Sequence, residues 1–222
     1  MRWHLGRQSA TIEGTFPLLP PKSAKECDVK DLDLQTIALA QQGDEGASRT
    51  IIESLHRPVI ATIYRFLGSR FQSEVEDIAQ EIFLKIFRSI ERFDPERGVK
   101  FTTWIYTFVR NHCFDVLKKR RLKTTSLSPR DEEAGQITIP DPGSPTPEFA
   151  AQNVELGQKI EEALALLGED QRMVFILREY EGLDYGSISR VTGVSEGTVK
   201  SRLHRAKESL RHRLAPYMRT GT

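Results

Sequence analysis

The stretch Asp184-Tyr-Gly-Ser-Ile-Ser-Arg-Val-Thr-Gly193-Val-Ser-Glu-Gly-Thr-Val-Lys-Ser-Arg-Leu-His-Arg-Ala-Lys207 decides the fold of this chain. Asp184 has the side chain that caps a helix start, accepting from backbone N–H groups one turn on. Ile188 and Val191 fall on one side of the short helix that follows. Ser189 is small enough to let a second helix come close. Gly193 supplies the positive φ of a sharp turn. Val194 points back into the core, Ser195 can cap the next helix, and Val199 and Leu203 anchor that helix from behind. Cap, turn glycine and inward apolar residues in one register predict a helix-turn-helix. A plain helical hairpin with a basic outer face would not need that register. Ser195, Glu196, Thr198, Lys200, Ser201, Arg202 and Arg205 remain to divide between base edges and phosphates. Arginine pairs bidentately with guanine, so Arg202 and Arg205 lead that set.

Working outward, helical periodicity runs through most of the chain and no strand pattern interrupts it. Leu32, Leu34, Ile37 and Ala40 precede a break at Gly43-Asp44. Ile51, Leu55, Val59, Ile63 and Leu67 mark a second helix, with Pro58 as a kink or boundary. A third starts around Ser73 with acidic residues suited to the positive end of the helix dipole. Phe93-Asp-Pro-Glu-Arg-Gly98 is a loop by its turn chemistry. A fourth helix runs from about Thr102 to Arg121. The expected fold is all-α, with two small helical domains joined by a flexible linker. Residues 1–30 form a flexible extension, 31–122 the first domain, 123–153 a Pro-rich acidic linker, 154–216 the helix-turn-helix domain and 217–222 a tail.

The net charge of +1 hides a segregation. Eight Lys/Arg between Arg97 and Lys123 face only Asp115, and seven between Lys200 and Arg219 face only Glu208, whereas 131–181 is acidic. Phosphate contacts are short-ranged, so two local basic patches serve nucleic acid without a high overall charge. Either patch alone would read as a solvated helix face. Cys27 and Cys113 are the only cysteines, which gives neither a disulfide framework nor a zinc spacing. The reading therefore has no metal and no cofactor. No apolar run has the length of a membrane span and no secretory leader is apparent, so a cytoplasmic location without membrane insertion is expected. No nucleophile–base set or phosphate loop suggests an enzyme.

Ahead of the first basic patch, Asp77-Ile-Ala-Gln-Glu81 opens an amphipathic helix. Ile78, Ile82 and Ile86 lie on one face and Asp77, Gln80, Glu81 and Lys85 on another. Phe101, Trp104, Ile105 and Phe108 recur at core spacing. Tyr106, with Arg110, Asn111, Asp115, Lys118 and Lys119 on the polar face, is the better nucleic-acid candidate.

In that order the two modules resemble a bacterial sigma factor of the extracytoplasmic-function type, in the sigma-70 family. Asp77-x-x-Gln80-Glu81-x-Phe83 is similar to sigma region two, and Gly-x-x-Tyr-x-x-Ile188 with Thr198 to Lys207 looks like region four. The resemblance covers about 31–122 and 154–214. Two departures stand out: Leu167-Gly-Glu-Asp replaces the usual leucine-proline, and Ser189 a common alanine. Neither removes a DNA-reading group.

The resemblance implies a transcription initiation factor that binds core RNA polymerase, on its β′ clamp helices through Asp77, Gln80 and Glu81 and on its β subunit. It implies reading of −35 promoter DNA by the helix-turn-helix set above. It also implies melting and capture of the −10 strand by Asp94, Arg97, Lys100, Tyr106, Arg110, Asn111, Asp115, Lys118 and Lys119. A flipped base is repaid by stacking and hydrogen bonds in a pocket. An anti-sigma factor is a further implied partner. Two alternatives stay open: a helix-turn-helix regulator that does not replace the polymerase sigma subunit, and an enzyme with a DNA-binding tail.

Overall fold

The computed structural model describes residues 32–124 and 157–218. The expected extension at 1–30 lies outside these, as do the expected 123–153 linker apart from 123–124, which end a helix, and the expected 217–222 tail apart from 217–218, which end another. Among the described residues there are helices and turns and no strand. The first half comprises α1 (Leu34–Gln41), α2 (Glu45–Leu67), α3 (Val75–Phe87) and α4 (Phe101–Thr124). The second comprises α5 (157–165), α6 (Glu169–Glu179), α7 (Tyr185–Thr192) and α8 (Glu196–Met218). None of these helices is long and apolar enough to cross a membrane.

Local chemistry explains most boundaries. Asp33 and Asp44 cap α1 and α2 by accepting from Gln35 N and Ala47 N, at 3.3 and 2.7 Å. Gly68 ends α2 at φ 84°, which a residue with a Cβ adopts only with strain. Pro58 was a candidate boundary, yet α2 runs through it unbroken. Leu55, Val59, Thr62, Ile63 and Phe66 all bury on one side of α2, so packing outweighs the missing N–H. The sequence placed the start of α3 near Ser73. A short 3-10 segment, Ser69–Glu74, stands there instead and buries Phe71, and α3 proper begins at Val75.

Ile78, Ile82 and Ile86 of α3, Ile51, Leu55, Val59 and Ile63 of α2 and Ile105, Val109 and Cys113 of α4 are buried in the core of the first half, where these helices pack on one another. Gln41 on α1 donates to the carbonyls of Ile90 and Phe93, at 2.9 and 2.7 Å, and so braces the chain entering the 94–100 loop. In the second half α6 and α7 pack on α8 around Val174, Ile188, Val199 and Leu203. The halves touch: α2 packs on α6 and α4 on α7, and the buried side chains form one continuous cluster.

Candidate nucleic-acid interface

The α7–α8 unit is assembled by the devices its sequence carries. Asp184 accepts from Ser187 N at 2.7 Å and Ser187 Oγ at 3.1 Å, and this bonding holds its carboxyl below the usual range. Gly193 turns the chain at φ 71°. Ser189 does more than stay small: its hydroxyl donates to the Val194 carbonyl at 2.6 Å and ties the turn to the first helix. Val194 itself is only half-buried, packed against the edge of the core rather than inserted in it. Ser195 caps α8 by accepting from Thr198 N at 3.3 Å. Gly168, in the Leu167-Gly-Glu-Asp departure, starts α6 with no side-chain cap.

With Ile188, Val199 and Leu203 turned inward, α8 presents Glu196, Lys200, Ser201 and Arg205 to solvent. The Lys200 ammonium lies 5.4 Å from the centre of the Tyr185 ring. Ser201 Oγ donates to the Thr198 carbonyl at 2.9 Å. Of the two leading arginines, Arg202 is half-buried and bridged to Asp170 of α6 at 2.9 Å, whereas Arg205 is exposed. A guanidinium already fixed to a carboxylate is positioned but less available, so Arg205 is the less encumbered of the two.

On α3 the residues Asp77, Gln80 and Glu81 share an exposed stripe with Leu84, an apolar side chain left 55% exposed. Glu81 Oε2 lies 3.3 Å from His112 Nε2, and Lys85 Nζ 2.6 Å from His112 Nδ1, so a buried histidine of α4 underlies this stripe. Burial, then the Lys85 charge, lowers the His112 pKa.

In the 94–100 loop Asp94 caps a 3-10 turn through Glu96 N, at 3.0 Å, and pairs with Arg97 at 3.3 Å. Arg97 and Lys100 are exposed beside it. Phe93, Phe101, Trp104 and Phe108 form a chain of ring contacts with centroids 4.7–5.6 Å apart. Farther along α4, Arg110 stacks over Phe114 at 4.5 Å and donates to Asn111 at 2.9 Å. Asn111, Asp115, Lys118 and Lys119 are exposed.

Tyr106 departs from its expected place. It is 1% exposed, and its hydroxyl donates to the Glu181 carboxylate of the second half. Trp104 and Phe108, read as core, are only half-buried. The stripe at three- and four-residue spacing was right for Phe101 and Ile105, but α4 has two buried sides, one on α2 and α3 and the other under the second half. Periodicity registers one apolar face; it does not reveal a second partner.

Around Tyr106 the halves meet through polar groups that sequence reading passed over. Thr62 Oγ1 donates to Glu181 Oε1 at 2.6 Å, and an Arg65 nitrogen lies 4.0 Å from the same oxygen. Burial is the main reason the Glu181 pKa is raised, and its two hydroxyl donors oppose that. Nearby, Tyr64 donates to Glu161 at 3.1 Å, and burial with the Glu161 charge pushes the phenol up to about 12. Arg172 donates to the Phe66 carbonyl at 2.6 Å, Arg121 pairs with Glu169, and Arg190 of α7 reaches the Gly98 carbonyl at 3.4 Å.

Comparison with known proteins agrees with this geometry. The family model for sigma-70 region 2 matches residues 51–123, and that for sigma-70 region 4 matches 157–210. The RNA polymerase sigma-H factor of Pseudomonas aeruginosa is 31% identical over 196 residues, spanning 86% of this chain and 97% of that protein. The ECF RNA polymerase sigma factor SigW of Bacillus subtilis is 30% identical over 187 residues, spanning 80% and 94%. The solved sigma factor RpoE of Bartonella quintana, in complex with the anti-sigma factor NepR, shares the fold at a TM-score of 0.61 and 24% identity. That match covers 75% of this chain and 96% of that one.

Proposed function

The chain belongs to the sigma-70 family, in its extracytoplasmic-function group, and from that membership we propose how its two halves divide the work of transcription initiation. The first half docks on core RNA polymerase through Asp77, Gln80 and Glu81, with Leu84 as the apolar centre of the contact. Protein interfaces set an apolar core within a polar rim, and an exposed leucine flanked by polar groups has that arrangement. The second half reads −35 DNA as a duplex: α8 enters the major groove, Arg205 and Arg202 reach base edges, and Ser195, Thr198, Lys200 and Ser201 hold phosphates.

The −10 strand is held by the 94–100 loop and the polar face of α4. Asp94, Arg97 and Lys100 line the loop. Half-buried Trp104 and Phe108 offer a stacking surface, while Arg110, Asn111, Lys118 and Lys119 follow the backbone. Phosphodiester chemistry belongs to the polymerase. An anti-sigma factor is the regulatory partner proposed.

The observation that carries this reading is one chain that combines a capped helix-turn-helix with an exposed acidic stripe centred on Leu84. Run-off transcription by purified core polymerase on a promoter library tests it. Specific initiation only when the protein is added, lost with Asp77→Ala/Gln80→Ala/Glu81→Ala, is expected. A silent polymerase that neither co-elutes with the protein nor depends on those residues would return it to the class of ordinary duplex-binding regulators.

A further inference from the structure

We infer that His112 is a positioning residue for the polymerase contact: its buried imidazole links Glu81 to Lys85 on α3 and leaves the Glu81 charge to a cationic group of the partner. The inference rests on the docking reading above and adds to it the residue beneath the face.

Glu81 and Lys85 stand four residues apart on α3, glutamate first, the order in which such a pair bridges well along a helix surface. Among the described residues no ion pair joins them directly. His112 of α4 comes up between them instead, its side chain 4% exposed. Lys85 Nζ lies 2.6 Å from Nδ1, and Glu81 Oε2 lies 3.3 Å from Nε2. An ammonium can only donate, so Nδ1 accepts from Lys85. The single proton of a neutral ring then belongs on Nε2, the nitrogen turned to Glu81. Nε2 is buried and has no fully formed hydrogen bond. A buried donor is costly to leave unmet, and the Glu81 carboxylate is the acceptor within reach. Burial and the Lys85 charge both lower the His112 pKa, which favours the neutral ring this arrangement needs.

The consequence lies in what happens to the Glu81 charge. A direct bridge to Lys85 would neutralise that carboxylate within its own helix. A neutral imidazole takes the cation on one nitrogen and the carboxylate on the other, so both side chains are held and both stay charged. The Glu81 side chain remains 62% exposed, with one oxygen toward the ring and the group open to a partner. Asp77 and Glu81 make the stripe acidic, so the complementary group on the polymerase is a cation. Holding Glu81 in advance lowers the ordering cost that a long side chain adds to association.

The bridge is tested first on the full chain alone, by imidazole nitrogen NMR, with His112 identified by the signal lost in His112→Gln. At neutral pH the ring should show Nδ1 unprotonated and Nε2 protonated, and the Nδ1 signal should move in Lys85→Met. A ring protonated on Nδ1, or a signal unmoved in Lys85→Met, overturns the bridge.

The role is tested by affinity for purified core polymerase in a double-mutant cycle. His112→Leu keeps the site filled and removes both contacts. It should weaken binding about threefold to tenfold, the worth of one lost hydrogen bond. His112→Gln keeps an acceptor and a donor and should recover most of that loss. In a Glu81→Ala background His112→Leu should change affinity less than about twofold, because the side chain it positions is gone. An equal cost with and without Glu81, in variants that unfold at the wild-type midpoint, would show that His112 only packs and would overturn the role. Should His112→Leu not fold, His112→Met takes its place in the cycle. A wild type without affinity for polymerase, its NMR signature intact, would defeat the docking reading and leave the bridge standing.

Discussion

Helices α4 and α8 are alike in length and charge and differ in what is left open to solvent. Each spans 23 or 24 residues and carries one of the two basic patches. The face of α8 that holds Lys200, Ser201 and Arg205 is exposed. On α4 the exposed cations lie toward the C-terminal end, while Tyr106 is buried under Glu181 and the preceding loop is touched by α7. The difference does not lie in the helices themselves, since both carry apolar residues at helical spacing and a basic side. It lies in what docks on them. The surface proposed to read −35 DNA is built and presented by its own half. The surface proposed to hold the −10 strand is built by one half and partly covered by the other.

The contrast can be broken from the α8 side. Ile188 is fully buried between α7 and α8, and Ile188→Ala should cost about 2–5 kcal/mol in urea unfolding. Hydrogen exchange should then show the α8 face dissolving first while α2, α3 and the first half of α4 keep their protection. Equal loss in both halves would mean that the halves fold as one unit.

The next effect is on recognition. Arg205→Ala should weaken −35 duplex binding by the polymerase-bound protein by about 1–3 kcal/mol and relax sequence preference there. Unchanged preference, measured by competition with altered −35 duplexes, would demote Arg205 to a phosphate contact. Gly193→Ala should cost about 1 kcal/mol of stability. A Cβ at Gly193 meets nothing within 4 Å, so the penalty is purely that of φ 71°. A neutral result in thermal unfolding would show that the turn relaxes.

The smallest effect is one of pH and acts on the seam alone. Glu181 and Glu161 both have pKa values raised by burial in the docked form. Glu181 faces Thr62, Arg65 and Tyr106, and Glu161 faces Tyr64 and Arg65. A carboxyl whose pKa rises on docking takes up a proton on docking. Its contribution is therefore full below the ordinary carboxylate range and fades as pH climbs through the raised value. The fraction of molecules with the halves parted, read by spin-label distances between Glu53→Cys of α2 and Glu208→Cys of α8, both exposed, should grow with pH, within about tenfold, and Glu181→Gln should flatten the profile. A profile of opposite slope would place the controlling charge elsewhere.

How much of this was legible beforehand follows from the range of each interaction. The cap at Asp184, the turn at Gly193 and the cap at Ser195 each act within a few residues, so the helix-turn-helix could be read from sequence alone. The stripe Asp77, Gln80 and Glu81 emerged from periodicity and is exposed as expected. The partners of Glu181 lie as many as 119 residues away, and no local pattern separates it from other glutamates in an acidic stretch. Tyr106 was misplaced for the same reason, because its burial comes from the second half. Pro58 stays helical only because a whole side of α2 is packed.

Arg172 carries one more consequence. Phe66 stands in the last turn of α2, where carbonyls run out of partners within the helix. The guanidinium that satisfies Phe66 belongs to α6, and it also holds the Leu167 carbonyl at 3.1 Å. Helix α2 thus ends on a cap lent by the other half, just ahead of the 3-10 segment that leads into α3. When the halves part, that loan is withdrawn, and the end of α2 must fray or turn to water. Faster amide exchange at Leu67 and Gly68 would then report the parting from a natural, unlabelled position.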